Sequence, residues 1–156
     1  MPLLSRAVFG FVRLASRHGL ATAKAEETEK ERARRHGING ETYAYWYLRR
    51  HGYVFVARNY RVPGDKAEID LIGYDGAVLA FVEVKTRSGT DERPGKPEEA
   101  VTAEKRFHVE RMARRFLAER RTPGVSWRFD IVAIESRPGR APTIRLHKNA
   151  FSGVHQ

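Results

Sequence analysis

Hydrophobic residues recur along the chain at spacings that predict two helices. Apolar residues at helical spacing over 40–51 predict the first, with Asn39 as a candidate N-cap and Gly52 as a candidate C-terminal stop. A second, longer helix is predicted to open at Pro97. Its apolar stripe follows the spacing i, i+3, i+4, i+7 and consists of Val109, Met112, Ala113 and Phe116.

Short runs rich in β-branched and aromatic residues predict five strands. These runs cover 53–57, 67–73, 78–86, 129–135 and 143–147. Asp75 and Gly76 form a hairpin turn signal, so the second and third strands should pair antiparallel. The order of one helix, three strands, a second helix and two strands predicts an α/β fold with a mixed sheet covered by helices.

The beginning of the chain differs in composition from the rest. No acidic residue occurs before Glu26, and residues 2–17 place apolar side chains in the register of a basic amphipathic helix. A dense run of charges follows over 26–35. We therefore predict a basic helical arm or linker over 1–35 and a folded domain over 36–150.

The charge distribution points to a polyanionic partner. The net charge is +10, and it divides into +5 for residues 1–50, −2 for 51–100 and +7 for 101–156. An acidic centre between basic flanks suits a nucleic-acid enzyme, although basic surfaces also simply keep small proteins soluble. The chain has no cysteine and no apolar run long enough to cross a bilayer. We therefore expect a cytoplasmic protein without a membrane span.

Candidate chemistry begins on the third predicted strand. Phe81, Glu83 and Lys85 share one face of that strand, which is apolar on both faces up to Val82. Burying charges is costly unless they are paired or bind a metal. A Glu-Val-Lys segment is common, however, and taken alone an ordinary ion pair explains it better.

The preceding strand also carries a charged residue, Asp70, within an apolar segment. A hairpin centred on residues 75 and 76 places Asp70 roughly opposite residues 81–83, so that Asp70 and Glu83 can share a site. Two such close carboxylates repel each other unless a proton or a cation lies between them. A divalent cation, most simply Mg²⁺, would remove the repulsion, whereas a strand with a polar outer face is the plainer explanation.

Glu41 is a weaker third candidate. Its spacing to Ala44, Tyr45 and Leu48 extends the apolar stripe of the first helix towards the sheet. A glutamate in the first turn of a helix also complements the helix dipole, and periodicity alone favours that role.

Taken together, these residues resemble the YraN-like family of uncharacterised bacterial proteins, over about residues 36–135. That family is similar to the Holliday-junction resolvase branch of the PD-(D/E)XK nuclease superfamily, which implies a restriction-endonuclease-like fold. The resemblance is carried by Gly40-Glu41, Ala44, Tyr47-Leu48, Gly52-Tyr53, Asn59-Tyr60-Arg61, residues 68–72, 81–87 and 97–101, Lys105, and Arg128-Phe129-Asp130.

The resemblance also implies roles for four residues. Asp70 and Glu83 would bind a catalytic Mg²⁺ or Mn²⁺, helped by the Val84 carbonyl, and Glu41 would complete the metal site. Lys85 would orient the attacking water and stabilise charge on the phosphate. The implied activity is that of a metal-dependent endonuclease acting on nucleic acid, with DNA as the expected substrate and a homodimer as a possible assembly.

Basic residues of the second helix are candidates for contacts to the nucleic-acid backbone. They are Lys105, Arg106, Arg111, Arg114 and Arg115. Two rival functions remain open at this point. One is a nucleic-acid-binding module that keeps the nuclease fold without catalysis, and the other is a scaffold whose basic arm contacts a membrane or a partner.

Overall fold

The order of elements in the computed structural model is one helix, three strands, a second helix and two strands. The structure describes residues 7–10, 12–14, 28–65, 67–88, 102–137 and 140–151. The helices are α1 (Glu29–Arg50) and α2 (Ala103–Glu119). The strands are β1 (Val54–Arg61), β2 (Glu68–Asp75), β3 (Val78–Ser88), β4 (Trp127–Ser136) and β5 (Thr143–Phe151).

The five strands form one sheet in the order β1-β2-β3-β4-β5. β1 pairs antiparallel with β2, and β2 pairs antiparallel with β3 across the turn at Gly76, whose positive φ of 62° suits glycine. The Leu79 amide, near the start of β3, donates to the Ser126 carbonyl just before β4 (2.9 Å), as expected for parallel strands joined by a helix. The α/β class and the mixed sheet flanked by helices are confirmed, and they are consistent with a restriction-endonuclease-like fold.

The chain divides into two compact units, and β3, β4 and β5 each contribute residues to both. The first unit consists of residues 1–52, 84–94 and 132–145, and the second of residues 53–83, 95–131 and 146–156. In the second unit, the stripe predicted for α2 is buried as expected. It packs against residues of the sheet, among them Ile72, Leu79, Phe81, Phe129 and Ile131.

In the first unit, α1 approaches β3 closely at Gly40. A Cβ atom added to Gly40 would lie 1.9 Å from the Thr86 Oγ1 atom, so only glycine fits there. Residues 7–10 and 12–14 are helical, and the Phe9 ring is buried against the Tyr43 ring, with centroids 5.4 Å apart. Part of the predicted arm therefore packs on α1.

Both predicted helix starts are wrong. α1 begins at Glu29 rather than near residue 40, so Asn39 lies inside the helix instead of capping it. α2 begins at Ala103 after Thr102, whose side chain accepts a hydrogen bond from the Lys105 amide. Pro97 lies outside the described residues. Because α1 also runs across residues 35 and 36, the division into arm and domain stays a prediction.

No helix in the described part of the chain is both long enough and apolar enough to cross a membrane.

Candidate functional site

Asp70 and Glu83 lie on adjacent strands, just beyond the end of the β2–β3 ladder. The ladder pairs Ile72 with Phe81 and ends with the pair Leu71 and Val82, so Asp70 and Glu83 are the next residues along their strands. The antiparallel pairing of these two strands, expected from the hairpin turn, is confirmed. That the two carboxylates face each other stays a prediction.

This carboxylate pair has the chemistry of a divalent-cation site. Asp70 is only 8% exposed, and the Glu83 side chain is 11% exposed, so both charges are poorly hydrated. Two such carboxylates favour a proton or a cation between them. Carboxylate oxygens are the ligands that Mg²⁺ and Mn²⁺ prefer, and Mg²⁺ is commonly held by one or two carboxylates while it keeps several waters. The pair therefore fits such a cation.

A larger metal cluster is not seen. Across the residues that the structure describes, no group of three or more His, Asp or Glu side chains is arranged to hold a metal ion.

Lys105 reaches the same carboxylate from the first turn of α2. Its Nζ donates to Glu83 Oε1, and its side chain remains 35% exposed. We predicted Lys105 as a contact to a nucleic-acid phosphate, and the structure instead pairs it with a predicted metal ligand. Sequence spacing alone could not reveal this, because the contact joins residues 22 positions apart through the packing of α2 on the sheet.

The surroundings of this ion pair are mainly apolar. A narrow pocket beside it has a free volume of about 10 Å³, which is near the lower limit for one water molecule. Electrostatic attraction is stronger in such a weakly screened setting than at an open surface. The residues that line the pocket besides the ion pair are Ile69, Phe81, Val82, Val109, Phe129, Asp130 and Phe151.

Glu41 and Lys85 belong to the first unit. Each is the chain neighbour of a residue in the tight α1–β3 contact, since Gly40 precedes Glu41 and Thr86 follows Lys85. Both side chains are partly buried. The structure thus brings Glu41 and Lys85 to one contact of the first unit, and Asp70 and Glu83 to adjacent strands of the second. A single site made of all four stays a prediction.

The other basic residues predicted on α2 have partners within the protein. Arg111 pairs with Asp65, Arg114 with Glu110 (2.9 Å) and Arg115 with Glu119 (2.9 Å). The Arg106 guanidinium lies over the Phe151 ring, 5.4 Å from its centroid. The three paired arginine side chains remain half-exposed. Surface ion pairs contribute little to stability, so Arg114 and Arg115 can exchange their carboxylates for phosphates at small cost.

Sequence reasoning gave no role to a second charged cluster, around Asp130 on β4. The Asp130 carboxylate is fully buried and accepts hydrogen bonds from Tyr53 Oη (3.0 Å), Arg128 Nε (2.8 Å) and the Asn149 amide (2.9 Å). Arg128 also donates to Asp75 (2.5 Å). The alternation of β4, which places Arg128 and Asp130 on one face, was the available signal.

The ionisation of this cluster is strongly biased towards its paired form. Burial, together with the neighbouring Asp130 carboxylate, raises the pKa of the Tyr53 hydroxyl, which therefore stays protonated as a donor. Hydrogen bonds from Lys148 and then from Arg128 hold the pKa of Asp75 below its ordinary value. Asp75, Asp130, Arg128 and Lys148 thus form a charge-balanced group in the second unit.

The five-stranded mixed sheet flanked by helices makes this an α/β protein, consistent with a restriction-endonuclease-like fold. The sequence profile of the uncharacterised protein family UPF0102 matches residues 40–134. The chain belongs to this family, and the predicted YraN-like resemblance is confirmed.

Similar proteins from several organisms align with this chain over most of their own length. A UPF0102 protein of Koribacter versatilis is 42% identical over 144 residues, which cover 90% of this chain and 94% of that protein. One from Solibacter usitatus is 47% identical over 137 residues, covering 85% and 98%. One from Symbiobacterium thermophilum is 45% identical over 119 residues, covering 76% and 98%.

Proposed function

We propose that this protein is a metal-dependent endonuclease that hydrolyses phosphodiester bonds in nucleic acid, with DNA as the expected substrate. The observation that carries the proposal is that two poorly hydrated carboxylates, Asp70 and Glu83, lie on adjacent strands just beyond the last pair of the β2–β3 ladder. Lys85 follows Glu83 by two residues on the same strand. Adjacent strands that supply an Asp and a Glu-x-Lys form the arrangement implied by the resemblance to PD-(D/E)XK nucleases.

Each residue has a distinct task in the proposed reaction. Asp70 and Glu83 would hold Mg²⁺ or Mn²⁺, and the family resemblance adds Glu41 as a third ligand. The cation, when bound, supplies Lewis acidity at the scissile phosphate. Lys85 donates to the phosphate oxygens and orients the attacking water. In a partly desolvated site, removing one such donor typically costs about 10²–10³ in rate.

The charge of the protein supports a nucleic-acid substrate. The chain carries +10 overall, and its basic flanks enclose the acidic segment that contains the proposed ligands. On α2, half-exposed arginines lie beyond Lys105, which itself reaches Glu83. Contacts of this kind to phosphates carry no sequence information and make binding strongly dependent on salt.

One observation favours a second candidate, a nucleic-acid-binding module without catalysis. Lys105 already neutralises Glu83, so this carboxylate is paired without any metal. A binding module predicts salt-sensitive affinity that needs neither Asp70 nor Lys85. The enzyme predicts that both residues are required for turnover.

Cleavage assays on labelled DNA test the proposal. Duplex, single-strand, flap and four-way-junction substrates are incubated with Mg²⁺ or Mn²⁺ and with wild type, Asp70→Ala or Lys85→Ala. Two control variants, Glu135→Ala and Arg145→Ala, remove a carboxylate and a cation from an exposed ion pair (2.6 Å). All proteins are purified identically to expose contaminating nucleases.

Cleavage by wild type and both controls, lost in Asp70→Ala and Lys85→Ala, is the expected result. Equal cleavage by all five proteins, or cleavage without metal, would contradict the enzyme and favour the binding module. Sedimentation of the wild-type protein then tests for the dimer that paired cuts in a junction would require.

A further inference from the structure

We infer that Lys105 is an internal counter-ion for Glu83, which a divalent cation must displace before it can bind, so that this lysine weakens the affinity of the protein for the metal. This inference rests on the proposed function, because it concerns the same carboxylates. It assigns to Lys105 the role of a positioning residue, in place of the simple phosphate contact expected from the sequence.

The contact itself implies competition. The Lys105 ammonium donates to Glu83 Oε1, and only 11% of the Glu83 side chain is exposed. An ammonium offers donors but no acceptor, and two cations that share one carboxylate repel each other. The mainly apolar lining of the neighbouring pocket keeps this repulsion from being screened by water. A cation bound between Asp70 and Glu83 would therefore push the ammonium away.

The position of Lys105 allows it to leave. Its backbone is fixed, because the amide donates to the Thr102 capping hydroxyl (3.2 Å) in the first turn of α2. The side chain is a flexible four-carbon stem and is 35% exposed, so its ammonium can move into solvent by rotamer change alone. After displacement, the ammonium would remain on the rim of the site, where a phosphate brings negative charge. Metal entry would thereby release a cation for the substrate.

Arg128 shows what a fixed counter-ion looks like in the same unit. Its guanidinium donates to both Asp75 and Asp130, and its side chain is only 16% exposed. A planar group held between two carboxylates cannot swing away without breaking several hydrogen bonds. Lys105 has a smaller, more hydrated head group, and over twice as much of its side chain is exposed.

Titration with Mn²⁺, followed by electron paramagnetic resonance of the free ion, tests this inference without nucleic acid or turnover. The proteins are wild type, Lys105→Met, Lys105→Arg and Asp70→Asn. Arg145→Met is the matched control, since it also removes one positive charge from an ion pair with a carboxylate. Urea unfolding of each variant verifies that the protein is folded during the titration.

We expect Lys105→Met to bind Mn²⁺ about tenfold or more tightly than wild type, the order of effect for removing one charge a few ångströms from a cation. Lys105→Arg keeps the charge and should bind no more tightly than wild type. Arg145→Met should change the affinity by less than about twofold, because screening weakens distant charges. Asp70→Asn should lose the site.

The counter-ion inference and the proposed metal-dependent function would be contradicted by different results. Equal or weaker Mn²⁺ binding by Lys105→Met, with Asp70-dependent binding by wild type, would overturn the counter-ion inference and leave the metal site intact. Absence of Asp70-dependent binding in both wild type and Lys105→Met would overturn the inference and the proposed metal-dependent function together. If Lys105→Met fails to fold, Lys105→Gln takes its place and must show the same gain.

Discussion

The two ends of strand β2 carry two different kinds of buried charge. At one end, Asp75 joins the cluster in which Arg128 and Lys148 balance Asp75 and Asp130. Towards the other end, Asp70 follows the last pair of the β2–β3 ladder, beside the strand that carries Glu83, and Lys105 reaches Glu83 from α2. The two ends share the second unit, so the difference between them is one of local construction rather than of overall environment.

The cluster around Asp130 is held in one arrangement, whereas the ion pair of Lys105 and Glu83 can separate. Asp130 accepts hydrogen bonds from a tyrosine, an arginine and a backbone amide, all on elements fixed by the sheet. Glu83 instead pairs with a partly exposed lysine, and a second poorly hydrated carboxylate, that of Asp70, lies on the adjacent strand. The hydrogen bonds around Asp130 stabilise one arrangement of the strands. Two neighbouring carboxylates such as Asp70 and Glu83 are instead stabilised when a cation binds.

The largest effect on the free energy of unfolding should come from removing Arg128 from its cluster with Asp75 and Asp130. Arg128→Met leaves Asp75 and Asp130 without their shared cation, and breaking a buried pair from one side typically costs about 3–5 kcal/mol. We expect the free energy of unfolding in urea to fall by that amount. Lys105→Met, made in parallel, should cost less, about 1 kcal/mol, because the Lys105 side chain is 35% exposed and its ion pair is closer to a surface pair. Equal losses of unfolding free energy in Arg128→Met and Lys105→Met would contradict the proposed difference between the two clusters.

Added metal should stabilise the folded protein only by binding to Asp70 and Glu83. A ligand at 100 times its dissociation constant adds about 2.7 kcal/mol to the stability of the form that binds it. We expect Mn²⁺ at that excess to stabilise wild type and Arg145→Met alike, and to leave Asp70→Asn unchanged. The measurement is urea unfolding with and without Mn²⁺. A similar gain in Asp70→Asn would show that the cation binds elsewhere on the protein.

The cluster around Asp130 should show a pH dependence of its own. The pKa of Asp75 is held below its ordinary value by hydrogen bonds from Lys148 and Arg128, so the folded state prefers the ionised form. Its contribution is fully present above about pH 4, the unfolded value, and is lost as the pH falls through the folded pKa. The stability advantage of wild type over Asp75→Asn, on the order of 1 kcal/mol for a charge-assisted bond, should therefore shrink as the pH falls below about 4.

Unfolding in urea at a series of pH values measures that difference. A constant advantage over the whole range would mean that ionised Asp75 is not favoured by folding.

The smallest structural effect is expected on the exposed face of α2. Arg114→Ala breaks a half-exposed pair with Glu110, which should cost at most about 0.5 kcal/mol. If Arg114 contacts a phosphate, the same change should weaken DNA binding uniformly across sequences and reduce the salt slope of log K by about 1. Fluorescence anisotropy in EDTA at several salt concentrations measures this slope. An unaltered slope would remove Arg114 from the nucleic-acid surface.

Local signals predicted the sheet and the pairing of its hairpin well. The turn at Gly76 and the alternation of residues on either side of it determine the register of β2 and β3 as far as the pair Leu71 and Val82. Strand registers of this kind follow from the period of two and the length of the turn, both of which are visible in the sequence.

Packing overrode the local signals at the helix ends. Gly40 looks like a poor helix former, yet it lies within α1 because only glycine allows the close approach to Thr86. Asn39 then loses its expected role as a cap. The contacts of Lys105 with Glu83 and of Arg128 with Asp75 could not be predicted from local patterns, because the partners are 22 and 53 residues apart in the chain.

The central claim is that Asp70 and Glu83 share a divalent cation, and anomalous diffraction from a crystal soaked in Mn²⁺ tests it most directly. The account predicts one strong anomalous peak about 2.1 Å from an oxygen of each carboxylate, with the Lys105 ammonium moved away from Glu83. The same soak of Asp70→Asn crystals should show no peak there. A wild-type crystal in which Lys105 still contacts Glu83 and no Mn²⁺ lies between the two carboxylates would contradict the account.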